Sequence, residues 1–181
     1  MNDGEIWVFG YGSLLWQPGF AHVERRIARL PGFHRSFCMR SIHHRGTEEA
    51  PGLVLALDRR PGAFCDGLAF RVAAGDGAAA LAYLRARELV SSAYLEQAHE
   101  VALCGGGRVE AVCYVIDPDH AQYCGDLPLA EQAAIIARAC GGRGPNDAYL
   151  YNTAAHLREL GIEDRELTRL ETMVRALKAQ K

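Results

Sequence analysis

Apolar residues come in short bursts over roughly the first 75 positions and at helical spacing over the last third, and the two patterns predict different elements. Ile6–Gly10 is an apolar run that ends in glycine and reads as a strand. Residues 27–39 alternate loosely, and Pro31-Gly32 within them predicts a bend or bulge. Residues 53–57 and 64–72 are two further apolar runs. Pro61-Gly62 between them supplies turn residues, so a hairpin is expected there. Residues 77–90 are rich in Ala, Leu and Arg and predict a helix, with Asp76 as its cap. A second hairpin is expected from residues 97–103 and 109–116 across Gly105-Gly106-Gly107. Helices then follow from about Pro128 to Cys140, from Asn146 as N-cap to Leu160 with Gly161 as the stop, and over 163–177. Strands, one helix, strands, then helices is an α+β order and not the βαβ alternation of a doubly wound sheet. The 181 residues fit a single domain, 1–181, with no internal repeat.

Composition narrows the function classes. Hydrophobic residues make up 49%, enough for a substantial core, and the formal charge is −2. A near-neutral chain with scattered arginines lacks the basic face that a nucleic-acid partner or an anionic membrane surface calls for. The start MNDGEIWVFGYGSLLW has acidic residues where a signal peptide would be apolar, and no apolar stretch is long enough to span a bilayer. The expectation is a soluble, cytoplasmic protein. Its six cysteines form no C-x-x-C pair and are expected to be free and mostly buried. Its seven histidines include no H-E-x-x-H, so no metal and no cofactor are expected.

Two features carry candidate chemistry. Gly10-Tyr11-Gly12-Ser13-Leu14 follows a strand, but Leu15 stands where a dinucleotide fingerprint needs its third glycine, and Trp16-Gln17-Pro18-Gly19 cannot open the required helix. What remains is either a nest of N–H groups able to bind a carboxylate or an oxyanion, or a tight turn whose glycines satisfy positive φ. Glu88 shares one helical stripe with Leu81 and Leu84. It is either a surface partner of Arg85 at i−3 or, if buried, a proton acceptor. No G-x-S-x-G elbow or Cys–His nucleophile pair is evident.

WVFGYGSLLWQPGF at 7–20 closely resembles the opening of the ChaC family of glutathione-specific γ-glutamylcyclotransferases. His44-Arg45-Gly46 with Pro51-Gly52, the run Gly67-Leu68-Ala69-Phe70-Arg71-Val72, and Tyr83-Leu84-Arg85-Ala86-Arg87-Glu88 are similar to the family pattern as well. So are Tyr123-Cys124-Gly125 with Pro128-Leu129, and residues 146–160. The resemblance implies a mixed β-barrel-like sheet flanked by helices. It also implies a lyase that cleaves glutathione to 5-oxoproline and Cys-Gly. By the same resemblance Val8, Phe9, Gly10, Tyr11, Gly12 and Ser13 hold the γ-glutamyl group, and Glu88 is the proton acceptor. The alternatives are action on γ-glutamyl amino acids or γ-glutamylamines, and a non-catalytic binding module of the same fold. After the glutamate many relatives continue with Lys and a Gly-Gly-Tyr turn, whereas this chain reads Leu89-Val90-Ser91-Ser92-Ala93-Tyr94.

Overall fold

The apolar run Ile6–Gly10 forms strand β1, in which Val8 and Phe9 are both fully buried. Neighbours on a strand point to opposite faces, so a strand covered on both sides needs no polar alternation. The structure, a computed structural model, describes residues 4–180. It contains two long strands, β2 (Glu24–Ser41) and β3 (Gly52–Val72). Each carries a Pro-Gly pair, and Gly32 and Gly62 adopt left-handed φ of +80° and +81°. At Pro31-Gly32, where a bend or bulge is expected, a left-handed residue interrupts the regular backbone while the strand continues through it. The hairpin expected between residues 53–57 and 64–72 does not form: Pro61-Gly62 lies inside one continuous strand. A left-handed glycine can distort a strand locally without reversing it, and pairing resumes on either side.

A 3₁₀ turn at Ala74–Asp76 leads into helix α1 (Gly77–Glu88). Asp76 does stand at the cap position, but its side chain makes no capping hydrogen bond. Strands β4 (Tyr94–Leu103) and β5 (Arg108–Ile116) form the second hairpin as expected, in register from Tyr94↔Ile116 to Ala102↔Arg108. β1 pairs antiparallel with β3 and parallel with β5 through Trp7↔Ala111 and Val8↔Val112. That parallel pairing closes the order β1-β3-β2-β4-β5 into a mixed barrel.

The chain divides into two compact units, Met1–Arg35 with Leu57–Ala121 and Ser36–Ala56 with Gln122–Lys181, and β2 and β3 run through both. In the first unit Val8, Leu14, Val72, Ala80, Leu84 and Tyr114 form a buried cluster that fixes α1 to the barrel. The second unit holds helices α2 (Leu129–Arg138), α3 (Asn146–Glu159) and α4 (Arg165–Ala179), with two-residue strands β6 (Cys140–Gly141) and β7 (Gly144–Pro145) between α2 and α3. Its core includes Phe37, Leu53, Leu55, Ile136, Leu150 and Val174. Asn146 is the first residue of α3, and Pro145 is its cap. The Asn146 amide instead accepts from Leu53 N at 2.7 Å and donates to Leu53 O at 2.7 Å. An amide buried beside a strand gains more from satisfying that strand's backbone than from capping its own helix. Gly161, at φ +71°, ends α3 as predicted.

Candidate active site

Glu88 is the last residue of α1, and the stripe predicted for it is real: Leu84, one turn earlier, is fully buried, and Leu81 is half-buried. A fully buried Leu or Val contributes roughly 1.5–3 kcal/mol, whereas an exposed ion pair contributes roughly 0–1 kcal/mol. Apolar packing therefore sets the position of α1, and with it that of Glu88. The Glu88 side chain is 16% exposed.

The surface pair considered for Glu88 is corrected by the structure. Arg85 turns to β4 and makes a bidentate contact with Glu96, Nε to Oε2 at 2.9 Å and Nη2 to Oε1 at 2.7 Å. Two parallel hydrogen bonds outweigh a single i−3 contact along the helix. Glu96 also accepts from the Tyr114 hydroxyl at 2.9 Å. Hydrogen bonds from Arg85 hold the Glu96 carboxyl below the usual carboxylate range, against the pull of burial. Burial pushes the Tyr114 phenol upward, and the charges of Glu96 and Glu88 add to that rise. Tyr114 is thus a neutral donor. The nearer cation to Glu88 is Arg87, whose Nε lies 3.3 Å from Glu88 Oε1.

The glycine loop follows β1 directly. Val8 and Phe9 are enclosed in the core, so only their backbone groups could meet a ligand. Gly10 is tightly enclosed: a Cβ there would sit 3.0 Å from Leu14 Cβ and 3.1 Å from the Phe70 ring, so both neighbours would have to give way. Gly12 has φ −134°, so the positive-φ reading of this glycine is corrected. Residues Ser13–Leu15 form a single 3₁₀ turn, closed by Leu15 N donating to Gly12 O at 2.9 Å. The first amides of such a turn have no acceptor within it. Tyr11 is buried, its hydroxyl donating to Tyr114 O at 3.1 Å and its carbonyl accepting from Arg35 Nε at 2.7 Å. Arg35 also donates to Asp66 O, so this buried guanidinium pins the loop to β3.

Ser13 and Glu88 are joined by Arg87. Its Nη2 donates to Ser13 Oγ at 2.7 Å, while its Nε faces Glu88. The guanidinium is small and rigid, so the two oxygens are at most about 8 Å apart. One small substrate could touch both. Of the predicted residues, Gly12, Ser13 and Glu88 are thus brought together, while the side chains of Val8, Phe9 and Tyr11 serve the frame. Sequence reasoning missed Arg35, Arg87, Glu96 and Tyr114. Only Arg87 left a signal, by standing next to Glu88 in the Y-L-x-x-R-E block.

After the glutamate, Ser92 turns the chain with φ +58° and Ala93 is fully buried, so the Leu89–Tyr94 stretch makes its turn without glycine. All six cysteines are free thiols. Cys38, Cys65 and Cys113 are buried and Cys124 is half-buried, in line with the expectation that most would be covered, while Cys104 and Cys140 are exposed. Among the described residues no three His, Cys, Asp or Glu side chains gather where they could hold a metal, and no helix is long and apolar enough to cross a membrane.

Comparison with known proteins bears on all of this. Residues 6–177 match the model of the family described as ChaC-like protein. A glutathione-specific γ-glutamylcyclotransferase of Escherichia coli K12 is 35% identical over 179 residues, covering 99% of this chain and 77% of that one. The enzyme of that name from Schizosaccharomyces pombe is 34% identical, with 91% and 89% covered. Among solved structures, a γ-glutamyl cyclotransferase specific to glutathione from yeast aligns over 99% of both chains with a TM-score of 0.89 at 24% identity, which establishes the barrel-and-helix fold. The chain therefore belongs to the ChaC-like family.

Proposed function

We propose that this protein cleaves glutathione into 5-oxoproline and Cys-Gly, with Glu88 as the proton acceptor and the loop from Val8 to Ser13 as the cradle for the γ-glutamyl group. The relatives' shared name supports the substrate. The observation that carries the site is the junction at Arg87, which keeps a mostly buried carboxylate and the open end of the glycine loop within reach of one small molecule. We take residues 1–181 as one catalytic domain, a reading supported by the passage of β2 and β3 through both compact units.

The chemistry asks for little beyond placement. The α-amine of the γ-glutamyl unit attacks its own γ-carbonyl, a five-membered lactam closes, and the C–N bond to cysteine breaks. The nucleophile resides in the substrate, so no catalytic serine or cysteine is needed. Holding the glutamyl chain folded for attack supplies much of the rate by orientation. Amides at the start of the Ser13–Leu15 turn are suited to the α-carboxylate or to the developing oxyanion.

The attacking amine must first lose a proton. Reference values place an α-amino group near 7.7–8.0 and a Glu near 4.3, a gap of roughly 5 kcal/mol against transfer. Burial of a carboxylate disfavours its charge and would narrow that gap, and Glu88 is mostly buried with Arg87 Nε 3.3 Å from its Oε1. The acid formed can then protonate the departing amine of Cys-Gly, so that protons balance over the cycle.

The test is product analysis with the purified chain. Equimolar 5-oxoproline and Cys-Gly from glutathione, with γ-glutamyl amino acids and γ-glutamylamines turned over poorly, is the expected result. Preference for either of the latter reassigns the substrate. Tight binding of glutathione without any product identifies a binding module instead.

A further inference from the structure

Arg87 is placed differently from Arg85, the other cation of α1. Arg85 leaves the helix for β4 and is half-exposed, whereas the Arg87 side chain is only 13% exposed. Its guanidinium donates to Gln17 O at 2.5 Å, to the Tyr83 hydroxyl at 3.1 Å and to Ser13 Oγ at 2.7 Å, with Nε 3.3 Å from Glu88 Oε1. Of these acceptors Ser13 ends the glycine loop and Gln17 lies in the segment after it, while Tyr83 and Glu88 belong to the last turns of α1. The segment is pressed on the helix at a second point as well. Gly19 has φ +76°, and a Cβ there would overlap the Tyr83 hydroxyl.

We propose that Arg87 is a positioning residue for the reaction, one that fixes the distance between the loop holding the γ-glutamyl group and the carboxylate that takes the proton, and that keeps this carboxylate ionised. The inference rests on the function proposed above. It goes beyond that reading by giving one side chain two separable tasks, a geometric one done by its fork and an electrostatic one done by its charge. Only a guanidinium can reach Ser13, Gln17 and Glu88 at once, because its donors diverge in a rigid plane. A lysine would retain the charge without the fork.

The surroundings of Glu88 make the electrostatic task readable. Arg87 on its own helix lies against Glu88, and Tyr114 on β5 is close enough to feel its charge; Arg85 on the same helix, Glu96 and Tyr94 on β4 and Tyr11 of the loop are the other titratable groups packed at this end of α1. Arg85 is committed to Glu96, and Tyr114 donates to Glu96. Replacing Arg87 by a neutral residue therefore removes a permanent positive charge 3.3 Å from Glu88. Without it the carboxylate holds its proton to higher pH, so the acid limb of the rate profile moves upward.

The test compares wild type, Arg87→Met and Arg87→Lys by 5-oxoproline formation from glutathione across pH, with folding checked by circular dichroism and thermal melting. For Arg87→Met the expected result is a fall in kcat/KM of about 10²-fold, the scale of a small misplacement of reacting groups, together with an acid limb shifted to higher pH. For Arg87→Lys the acid limb should return to the wild-type position, while most of the loss in kcat/KM persists. Should Arg87→Met not fold, Arg87→Lys decides alone: wild-type kcat/KM in the folded lysine variant overturns the proposal. It is equally overturned if the methionine variant melts lower but turns over normally with an unmoved acid limb, since Arg87 would then be only structural. A wild-type protein that forms no 5-oxoproline refutes the proposed function itself, a result distinct from either.

Discussion

Two carboxylates flank the end of α1 and are treated in opposite ways. Glu96, on β4, is gripped by both arms of Arg85 and by the Tyr114 hydroxyl, and its carboxyl is held below the usual range. Glu88, on α1, meets Arg87 through the single nitrogen Nε at 3.3 Å, and the rest of that guanidinium is spent on the loop. A carboxylate with its lone pairs filled by an arginine fork is a poor proton acceptor, because protonation would break every bond that holds it. One whose neighbouring arginine spends its fork on other acceptors can take a proton without breaking a bidentate pair. Proximity to an arginine thus does not distinguish a structural carboxylate from a working one. Whether the arginine commits its fork to that carboxylate does.

The substitution expected to matter most is Glu88→Gln, which keeps size and one acceptor but cannot take a proton. It should fold, bind glutathione and lose at least about 10²-fold in kcat, read as 5-oxoproline release. Near-normal turnover would put Glu88 in the same class as Glu96 and end the distinction. Arg85→Ala is no control for Glu88, since it would unseat Glu96.

Next in size is a carboxylate of the second unit. Burial works against ionisation of Glu171, but hydrogen bonds from Arg158 and Arg175 outweigh it and hold the carboxyl low. Both arginines are more than half exposed, so solvent screening limits the effect. Glu171→Ala should cost about 1–2 kcal/mol, lowering Tm by about 2–4 °C per kcal/mol, and leave kcat per folded molecule unchanged. A loss of turnover would show that gripped carboxylates also take part in function.

Glu96→Gln should cost less, about 0.5–1 kcal/mol at neutral pH, with kcat retained to within about tenfold. Its pH dependence has a definite sign. The folded-state carboxyl is depressed, so its stabilisation is present above the ordinary carboxylate value and is lost as pH falls through the lower folded one. Melting curves of wild type and Glu96→Gln should therefore differ at neutral pH and converge in acid. A constant difference at all pH values would mean that packing, not charge, is lost.

The smallest effect is expected at the cysteines. Burial pushes the Cys113 thiol up to about 12, with Cys65 adding to the shift. At pH 8 that leaves on the order of 10⁻⁴ of it as thiolate. Iodoacetamide should label exposed Cys104 and Cys140 and spare Cys113, with turnover intact. Loss of activity in step with labelling would implicate a thiol that the mechanism leaves idle.

What could be read from the sequence depended on whether the deciding contact was local. β1, the β4–β5 hairpin and α3 are legible because their signals lie within a few residues: an apolar run, a triple glycine, a Gly161 stop. Pro61-Gly62 misled because the same dipeptide serves a hairpin turn and an irregularity within a strand, and only the continuation of β3 through it distinguishes them. Glu88 could be singled out as a carboxylate on an apolar stripe, but its helix neighbour Arg85 pairs with Glu96, eleven residues onward and on a different element. Arg35 and Tyr114 act on the loop from 24 and 103 residues away, and no periodicity encodes such contacts. Asn146 was read as a cap for the same reason, since its partner Leu53 lies 93 residues earlier.

The central claim is that the substrate's own amine does the cutting and the protein supplies a base and a frame. Turnover of glutathione in water enriched in ¹⁸O, with products weighed by mass spectrometry, tests it most directly. The account predicts 5-oxoproline of ordinary mass and an equal amount of Cys-Gly, because no water oxygen enters the lactam. Glutamate carrying ¹⁸O would mean that water is the nucleophile and would contradict the mechanism.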